Sequence, residues 1–170
     1  MSQEFSDFYE QWFDRVYTYA RHRTGSPTRA DEIASDTFSR VLKKWETFDP
    51  AKADRRTWLF SIAFRAVADN YRAQRAGVVQ GLDLAAEPQE RGLGPAGEAE
   101  RAQERRDLAA ALAALDDKAR EIVALKFYAG MTNRAIATLL DLTESSVAVT
   151  LFRSVRRMRK NFTGVEADHG

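Results

Sequence analysis

The segment from Thr143 to Lys160 carries hydroxyl, small apolar and cationic side chains at the spacing of one helix face. That face, at about 100° per residue, comprises Ser145, Val149, Phe152, Arg153, Arg156 and Lys160, with Thr143, Ser146 and Arg157 beside it. Small side chains and hydroxyls contact base edges in a DNA groove, and cations neutralise phosphates. No acidic residue occurs between Ser145 and Val165. The segment is therefore predicted to bind duplex DNA.

A basic helix exposed only to solvent is the simplest alternative, but such a helix gains nothing from exposed Val149 and Phe152. The opposite side of the helix is an apolar stripe made of Val147, Leu151, Val155 and Met158. A shorter helix precedes it, with apolar residues Ile136, Leu139 and Leu140, and Thr143 provides an N-cap oxygen between the two helices. This pair predicts a helix-turn-helix, supported from below by helices over 105–115 and 118–128.

The N-terminal part of the sequence has the periodicity of three further helices. The first spans Phe5 to Ala20 and has an unusually aromatic buried face. The second follows Ser26-Pro27, ends near Trp45, and is expected to bury Phe38, Leu42 and Trp45 itself. A charged loop from Ala51 to Arg56 leads to the third helix, Thr57 to Arg75. No alternation typical of strands is found, and the predicted fold class is all-α.

The third helix combines cations with aromatic rings. Between Arg55 and Arg75 there are five Arg and one Asp, interleaved with Trp58, Phe60, Phe64 and Tyr71. Cations for phosphates and rings for unstacked bases are the groups that bind single-stranded DNA. Aromatic residues of a three-helix domain are more often core residues, so this pattern alone is a weak indication.

Composition divides the chain. Gly and Pro cluster from Ala76 to Ala102, which indicates a flexible linker. The predicted organisation is an N-terminal module over 1–75, a linker over 76–102, a helix-turn-helix module over 103–162 and a tail over 163–170.

The composition and net charge of the chain limit the classes of function that are expected. The 170 residues include no Cys and two His, His22 and His169, which are expected on the surface, so neither a metal site nor a cofactor is predicted. The net charge of +1 means that DNA affinity must come from local patches. No apolar run approaches the roughly 20 residues of a membrane span, which predicts a cytoplasmic protein. No paired carboxylates or base resemble an active site, and an enzyme is not expected.

Three segments, in order and spacing, resemble sigma factors of the extracytoplasmic-function type. They are ADEIASDTFSRVLKKWETFDP (30–50), TWLFSIAFRAVADNYR (57–72) and LAALDDKAREIVALKFYAGMTNRAIATLLDLTESSVAVTLFRSVRRMR (112–159). The resemblance covers nearly the whole chain. It implies a dissociable specificity subunit of bacterial RNA polymerase, with core polymerase and promoter DNA as partners and an anti-sigma factor as a candidate third.

The resemblance also assigns residues. Contacts to core polymerase would come from Asp31, Glu32, Asp36, Arg40 and Trp45. The separated strand of the downstream promoter element would contact Arg55, Arg56, Trp58, Arg65, Asn70, Arg72 and Arg75. The helix from Glu144 would read the upstream element as duplex, through the face described above.

The sequence departs from the family pattern at four positions. Arg65 stands where an Asn is usual, Ala148 and Thr150 where cations are common, and Asp141 where the turn usually has Gly. Asp tolerates a left-handed backbone, so the turn is expected to form.

The alternative function is a helix-turn-helix repressor or activator that works without replacing a sigma factor, although no heptad seam for dimerisation is found.

Overall fold

A computed structural model describes residues 2–77 and 95–167, and in these ranges the secondary structure is helical. The helices are α1 (Gln3–Thr24), α2 (Pro27–Lys43), α3 (Arg55–Arg75), α4 (Pro95–Ala113), α5 (Asp117–Phe127), α6 (Asn133–Leu140) and α7 (Glu144–Ala167), with a short 3-10 turn at Trp45–Thr47. Helices α1–α3 form an N-terminal bundle, and α4–α7 form a C-terminal bundle. The all-α prediction with two modules is confirmed.

Local capping explains where the helices of the N-terminal bundle begin and end. The side chains of Ser2, Ser26 and Asp54 accept hydrogen bonds from backbone N–H groups in the first turns of α1, α2 and α3. Gly25 ends α1 with a φ of 70°, a left-handed conformation that a side chain would disfavour. The chain thereby turns back, α2 packs against α1, and α3 completes the bundle.

The C-terminal bundle contains the predicted helix-turn-helix. Thr132 caps α6, and the Thr143 side chain accepts a hydrogen bond from the backbone N–H of Ser146 at the start of α7. Asp141 joins the two helices with φ 55° and ψ 50°, so the expected left-handed turn is present without Gly. Helices α4 and α5 pack against α7, as predicted. The turn and its two caps thus fix the orientation of α7.

Three expectations for individual positions, those for Leu42, Trp45 and His22, were wrong. Leu42 is 46% exposed instead of buried, and Trp45 is only half-buried, because α2 ends at Lys43 and Trp45 lies in the 3-10 turn. Phe60 is fully buried, which agrees with the interpretation of the α3 aromatic residues as core residues. His22 is half-buried against the C-terminal bundle, whereas His169 lies outside the described residues.

Two helix starts also differ from prediction. Helix α3 begins at Arg55, so Arg55 and Arg56 belong to its first turn and not to the preceding loop. Helix α4 begins at Pro95, within the predicted linker 76–102. Pro95 and Gly97 suggested a linker, but Pro is favoured in a first helical turn and the following Glu, Arg, Gln and Ala residues favour helix. The rest of that linker, 78–94, lies outside the described residues, and the module boundaries stay a prediction.

Within the described ranges, no single helix is both long and apolar enough to cross a membrane; α6 and the first part of α7 reach that length and composition only when taken together across a bend of 109°.

Candidate nucleic-acid and protein interfaces

Helix α7 has the two faces that its sequence pattern predicts. Val147 is fully buried and Leu151 nearly so, with Val155 and Met158 half-buried along the same stripe. The residues of the predicted DNA-binding face are exposed, namely Ser145, Val149, Phe152, Arg153, Arg156, Arg157 and Lys160. Thr143 is exposed at the cap and Ser146 half-buried in the first turn. A continuous exposed surface therefore runs from hydroxyl groups to cations, as duplex recognition requires.

Phe152 lies at the edge of this face. It is 68% exposed and borders a groove between α5 and α7 that is also lined by Phe127, Val155 and Arg159. Three helical positions separate Phe152 from Val149, which places its side chain about 60° away around the helix axis. Arg153 and Arg156 lie within about 40° of Val149, one on each side. The centre of the predicted DNA-binding face is thus Val149 with these two cations.

On α3, only part of the predicted single-strand set shares one surface. Trp58, Arg65 and Arg72 recur every seven residues and form one line along the helix, with Arg65 and Arg72 exposed and Trp58 half-buried. Arg75, one turn beyond Arg72, is exposed as well. Trp58 packs on Phe48, with ring centroids 4.9 Å apart, so its ring is fixed in position.

The other predicted single-strand residues are already engaged. Arg55 lies over the Trp45 ring, 4.8 Å from its centroid, and forms an ion pair with Glu4. The Asn70 side chain accepts a hydrogen bond from Arg29 at 2.8 Å and donates one to Glu32 at 3.4 Å. These contacts tie Asn70 to α2, away from the exposed line of α3.

Arg56 lies on the opposite side of α3 from Arg65, because nine residues correspond to half a helical revolution. It continues the stripe that contains the buried residues Phe60 and Ala63. Its guanidinium group approaches the turn of the C-terminal bundle at Gly130, where Nη1 is 3.1 Å from the position that a Cβ would occupy. The structure therefore separates Arg56 from the other single-strand candidates.

The predicted polymerase-binding residues lie on α2 and the turn after it. Asp31 and Glu32 are exposed. Arg40 holds Asp36 through two contacts, Nη2–Oδ2 at 2.6 Å and Nε–Oδ1 at 3.1 Å, and reaches Asp69 of α3 at 2.8 Å. Asp36 and Arg40 thus brace α2 against α3, and this internal contact accounts for their charges without a partner protein.

An apolar groove between α1 and α2 was not found from the sequence. It is lined by Phe5, Tyr9, Phe38 and Leu42 together with Ser6, Glu10, Ser35 and Ser39. Tyr9 is 39% and Leu42 46% exposed, an unusual position for large apolar groups in a closed bundle. The helical period placed Leu42 one turn after Phe38 and so predicted burial. Only the crossing of α1 over α2 decides that the groove stays open.

A buried polar cluster joins the two bundles. The Tyr19 hydroxyl of α1 donates a hydrogen bond of 2.6 Å to Oε1 of Glu121 on α5, and Arg23 Nε lies 2.6 Å from Oε2 of the same carboxylate. Tyr19 is fully buried, and the side chains of Arg23 and Glu121 are about one tenth exposed. Burial raises the pKa of Glu121 even though Arg23 and the Tyr19 hydrogen bond lower it. Burial, reinforced by the Glu121 charge, also raises the pKa of Tyr19.

A stacked pair lies beside this cluster. The imidazole of His22 is parallel to the Tyr128 ring, with centroids 4.3 Å apart and planes inclined by 16°. Burial, with a smaller effect of Arg21, lowers the pKa of His22 from 6.5 to about 4. Because the pKa is depressed in the packed state, His22 stabilises the contact between the bundles fully above pH 6.5, and this contribution is lost as the pH falls towards 4.

The stacking of His22 on Tyr128 predicts that the free energy of unfolding depends on pH. Between pH 7.5 and 5.0, the wild-type chain should lose about 1 to 2 kcal/mol more unfolding free energy than a His22→Phe variant, whose ring stacks but cannot be protonated. Protonation of Glu121, whose raised pKa has the opposite sign, occurs in both chains and cancels in the difference. Urea unfolding at the two pH values measures the effect. Equal losses in the two chains would contradict the assignment to His22.

Both bundles match known protein families. Residues 8–77, which contain most of the N-terminal bundle, match the family Sigma-70 region 2, and residues 105–158 match Sigma-70, region 4. The sigma factor BldN of Streptomyces coelicolor is 29% identical over 158 residues, which cover 92% of this chain and 59% of BldN. The sigma factor SigL of Mycobacterium tuberculosis is 28% identical over 152 residues, covering 89% of this chain and 84% of SigL. Both are described as ECF RNA polymerase sigma factors.

Two solved structures have the same fold. The sigma factor RpoE of Bartonella quintana, in complex with the anti-sigma factor NepR, superposes with a TM-score of 0.72 at 17% identity over 95% of this chain and 98% of its own. CnrH, in complex with the cytosolic domain of CnrY, gives 0.66 at 22% identity over 94% and 88% of the two chains. With both sigma-70 regions matched in order and the relatives aligned over nearly its whole length, the chain belongs to the sigma-70 family, among its extracytoplasmic-function members.

Proposed function

We propose that this chain is an alternative sigma factor, a subunit that binds core RNA polymerase, recognises two promoter elements and promotes DNA opening. The observation that carries the proposal is that two different DNA-directed surfaces lie on two different bundles. The exposed face of α7 suits duplex DNA. The line of Trp58, Arg65 and Arg72 on α3 suits an unpaired strand. A protein that binds one part of a promoter as duplex DNA and another part as a single strand needs both surfaces.

Core polymerase is proposed to bind the groove between α1 and α2. Exposed Tyr9 and Leu42 provide apolar contact area there, and Asp31 and Glu32 of α2 are acidic groups for a basic partner. Promoter DNA is the second partner. An anti-sigma factor is the third, because the similar RpoE structure is a complex of that kind. Such a subunit works where the polymerase is, in the cytoplasm, and contributes no catalytic group of its own.

The test is transcription in vitro with purified bacterial core polymerase and a pool of genomic DNA. The chain should direct initiation at a discrete set of promoters, and it should protect no specific duplex site in the absence of core polymerase. A repressor or activator would give the reverse pattern, with nanomolar protection by the free chain and no initiation with core polymerase alone.

A further inference from the structure

The N-terminal part of α7 lacks the side chains that usually identify purines. Between Glu144 and Phe152 there is no Arg, Lys, Asn or Gln, and Arg153 is the first cation of the helix. Arg and Lys are the usual partners of guanine in the major groove, and Asn and Gln are those of adenine. A recognition helix contacts base edges mainly with its N-terminal residues. In this chain, those residues must recognise DNA by other means.

The exposed surface of this part of α7 is apolar at its centre. Val149 is 47% exposed and lies about 200° around the helix axis from Val147, which is fully buried. Ala148 and Phe152 are exposed as well and extend the apolar surface on one flank. Single exposed apolar residues are common on proteins, but these three adjoin one another on a helix that continues with cations. The surface therefore fits a ligand that presents apolar groups beside phosphates.

Duplex DNA presents one kind of apolar group at its major-groove base edges, the methyl group at C5 of thymine. The modified base 5-methylcytosine carries the same group on the same carbon, whereas uracil and cytosine carry none. A valine side chain that packs on this methyl group gains from its burial in either base. Contact through Val149 therefore does not distinguish thymine from 5-methylcytosine.

The polar neighbour of Val149 does not distinguish these two bases either. Ser145 is exposed one turn earlier, about 40° from Val149 around the axis. Its hydroxyl group can donate to O4 of thymine or accept from the N4 amino group of a cytosine, because a hydroxyl does both. Glu144 can only accept, but it lies about 140° from Val149 and so outside this surface.

We propose that α7 recognises C5-methyl groups of pyrimidines in the upstream element, and that 5-methylcytosine can replace thymine there. Val149 contacts the methyl group, Ser145 lies beside it, and the cations from Arg153 onward contact phosphates. This recognition rests on the proposed function, because the duplex is taken to be a promoter bound by the complete polymerase. Enzymatic methylation of a cytosine at such a position would strengthen the promoter.

The test uses polymerase assembled from core enzyme and this chain, with a duplex promoter that it selects from genomic DNA. At each thymine of the upstream element in turn, four duplexes carry thymine, uracil, 5-methylcytosine or cytosine, each opposite its matching purine. At one or two positions, loss of the methyl group should weaken binding about fourfold, both from thymine to uracil and from 5-methylcytosine to cytosine. Thymine and 5-methylcytosine should bind within about threefold of each other. A methyl effect below about twofold in either pair overturns the proposal.

Variants of the chain connect the methyl effect to Val149. In Val149→Ala the effect should fall from about fourfold to below about twofold, because the shorter side chain does not reach the methyl group. The matched control is Arg156→Ala, which removes an exposed cation from the same face. It should weaken binding to all four duplexes by the same factor and retain the methyl effect. An undiminished methyl effect in Val149→Ala, or an equal loss of it in Arg156→Ala, overturns the assignment to Val149.

Failure of the proposed function would give a different result. If the chain directs no initiation with core polymerase, the four duplexes are compared with the free chain at the site that it protects. The methyl effect should then persist, because a helix-turn-helix inserts its second helix into the major groove in a repressor as well. A chain that binds no specific duplex, either alone or with core polymerase, overturns both the proposed function and the methyl recognition.

Discussion

Replacing Leu42 with Arg is expected to weaken binding to core polymerase at least about 100-fold. The Leu42 side chain is 46% exposed at the groove between α1 and α2, and the described part of the chain leaves it accessible there. A guanidinium group forced into an apolar contact would have to be desolvated without a partner, which costs several kcal/mol. Because Leu42 is exposed in the free chain, the fold should lose little stability.

A graded series separates the removal of apolar area from the addition of charge. Leu42→Ala removes apolar area alone and should weaken binding about tenfold, as truncation of a central interface residue does. Ala109→Arg adds the same charge to an exposed position of α4 and should have no effect. Fluorescence anisotropy of the labelled chain with core polymerase measures all three. An affinity of folded Leu42→Arg within threefold of the wild type would contradict the placement of the polymerase in this groove.

Leu42 is also a better probe than Asp36, one of the residues that the resemblance assigns to contacts with core polymerase. Asp36 is held by Arg40, which also bridges to Asp69 of α3. Reversing the charge of Asp36 would place two Arg side chains together and loosen α2 from α3. A loss of polymerase binding would then have two explanations, one at the interface and one within the bundle.

The parts of the fold that the sequence predicts are those decided by neighbours in the chain. The two faces of α7 follow from a period of 3.6 residues, and the cap at Thr143 follows from its hydroxyl group. The left-handed turn at Asp141 is predictable for the same local reason. The candidate duplex-binding face could therefore be derived before the structure was known.

The parts that the sequence does not predict depend on packing between distant segments. Glu121 lies among Ile122, Val123 and Leu125 on a short amphipathic helix, and nothing near it indicates that its partners are in α1. Arg56 is one of five similar Arg residues, and only the position of the Gly130 turn distinguishes it. Composition and periodicity contain no information on such pairings, because they are decided when the bundles pack.

Different residues of α7 should position the promoter DNA and recognise its base sequence. Replacing Arg153 and Arg156 together by Ala is expected to lower the salt-dependence slope of promoter binding by about 1.8, that is about 0.9 for each phosphate that is no longer neutralised. When the salt concentration rises from 50 to 200 mM, the double variant should therefore lose about 12-fold less affinity for the promoter than the wild type loses. The effect should be similar on all sequences, since phosphates carry no sequence information. Lys118→Ala, which removes an exposed cation outside α7, is the control.

Val149→Ala should change base preference and leave the salt dependence of binding unchanged. Val149 is 47% exposed near the start of α7, where a recognition helix enters the major groove, and its methyl groups suit thymine. Its loss should change preference at one or two upstream-element positions by about 1 kcal/mol and leave the salt slope unchanged. Selection from a promoter library by the complete polymerase at two salt concentrations measures both quantities. If Val149→Ala moves the slope and the double Arg variant moves base preference instead, α7 enters the groove rotated about its axis. The groove-facing side would then include Phe152 and Arg159, whose side chains border α5.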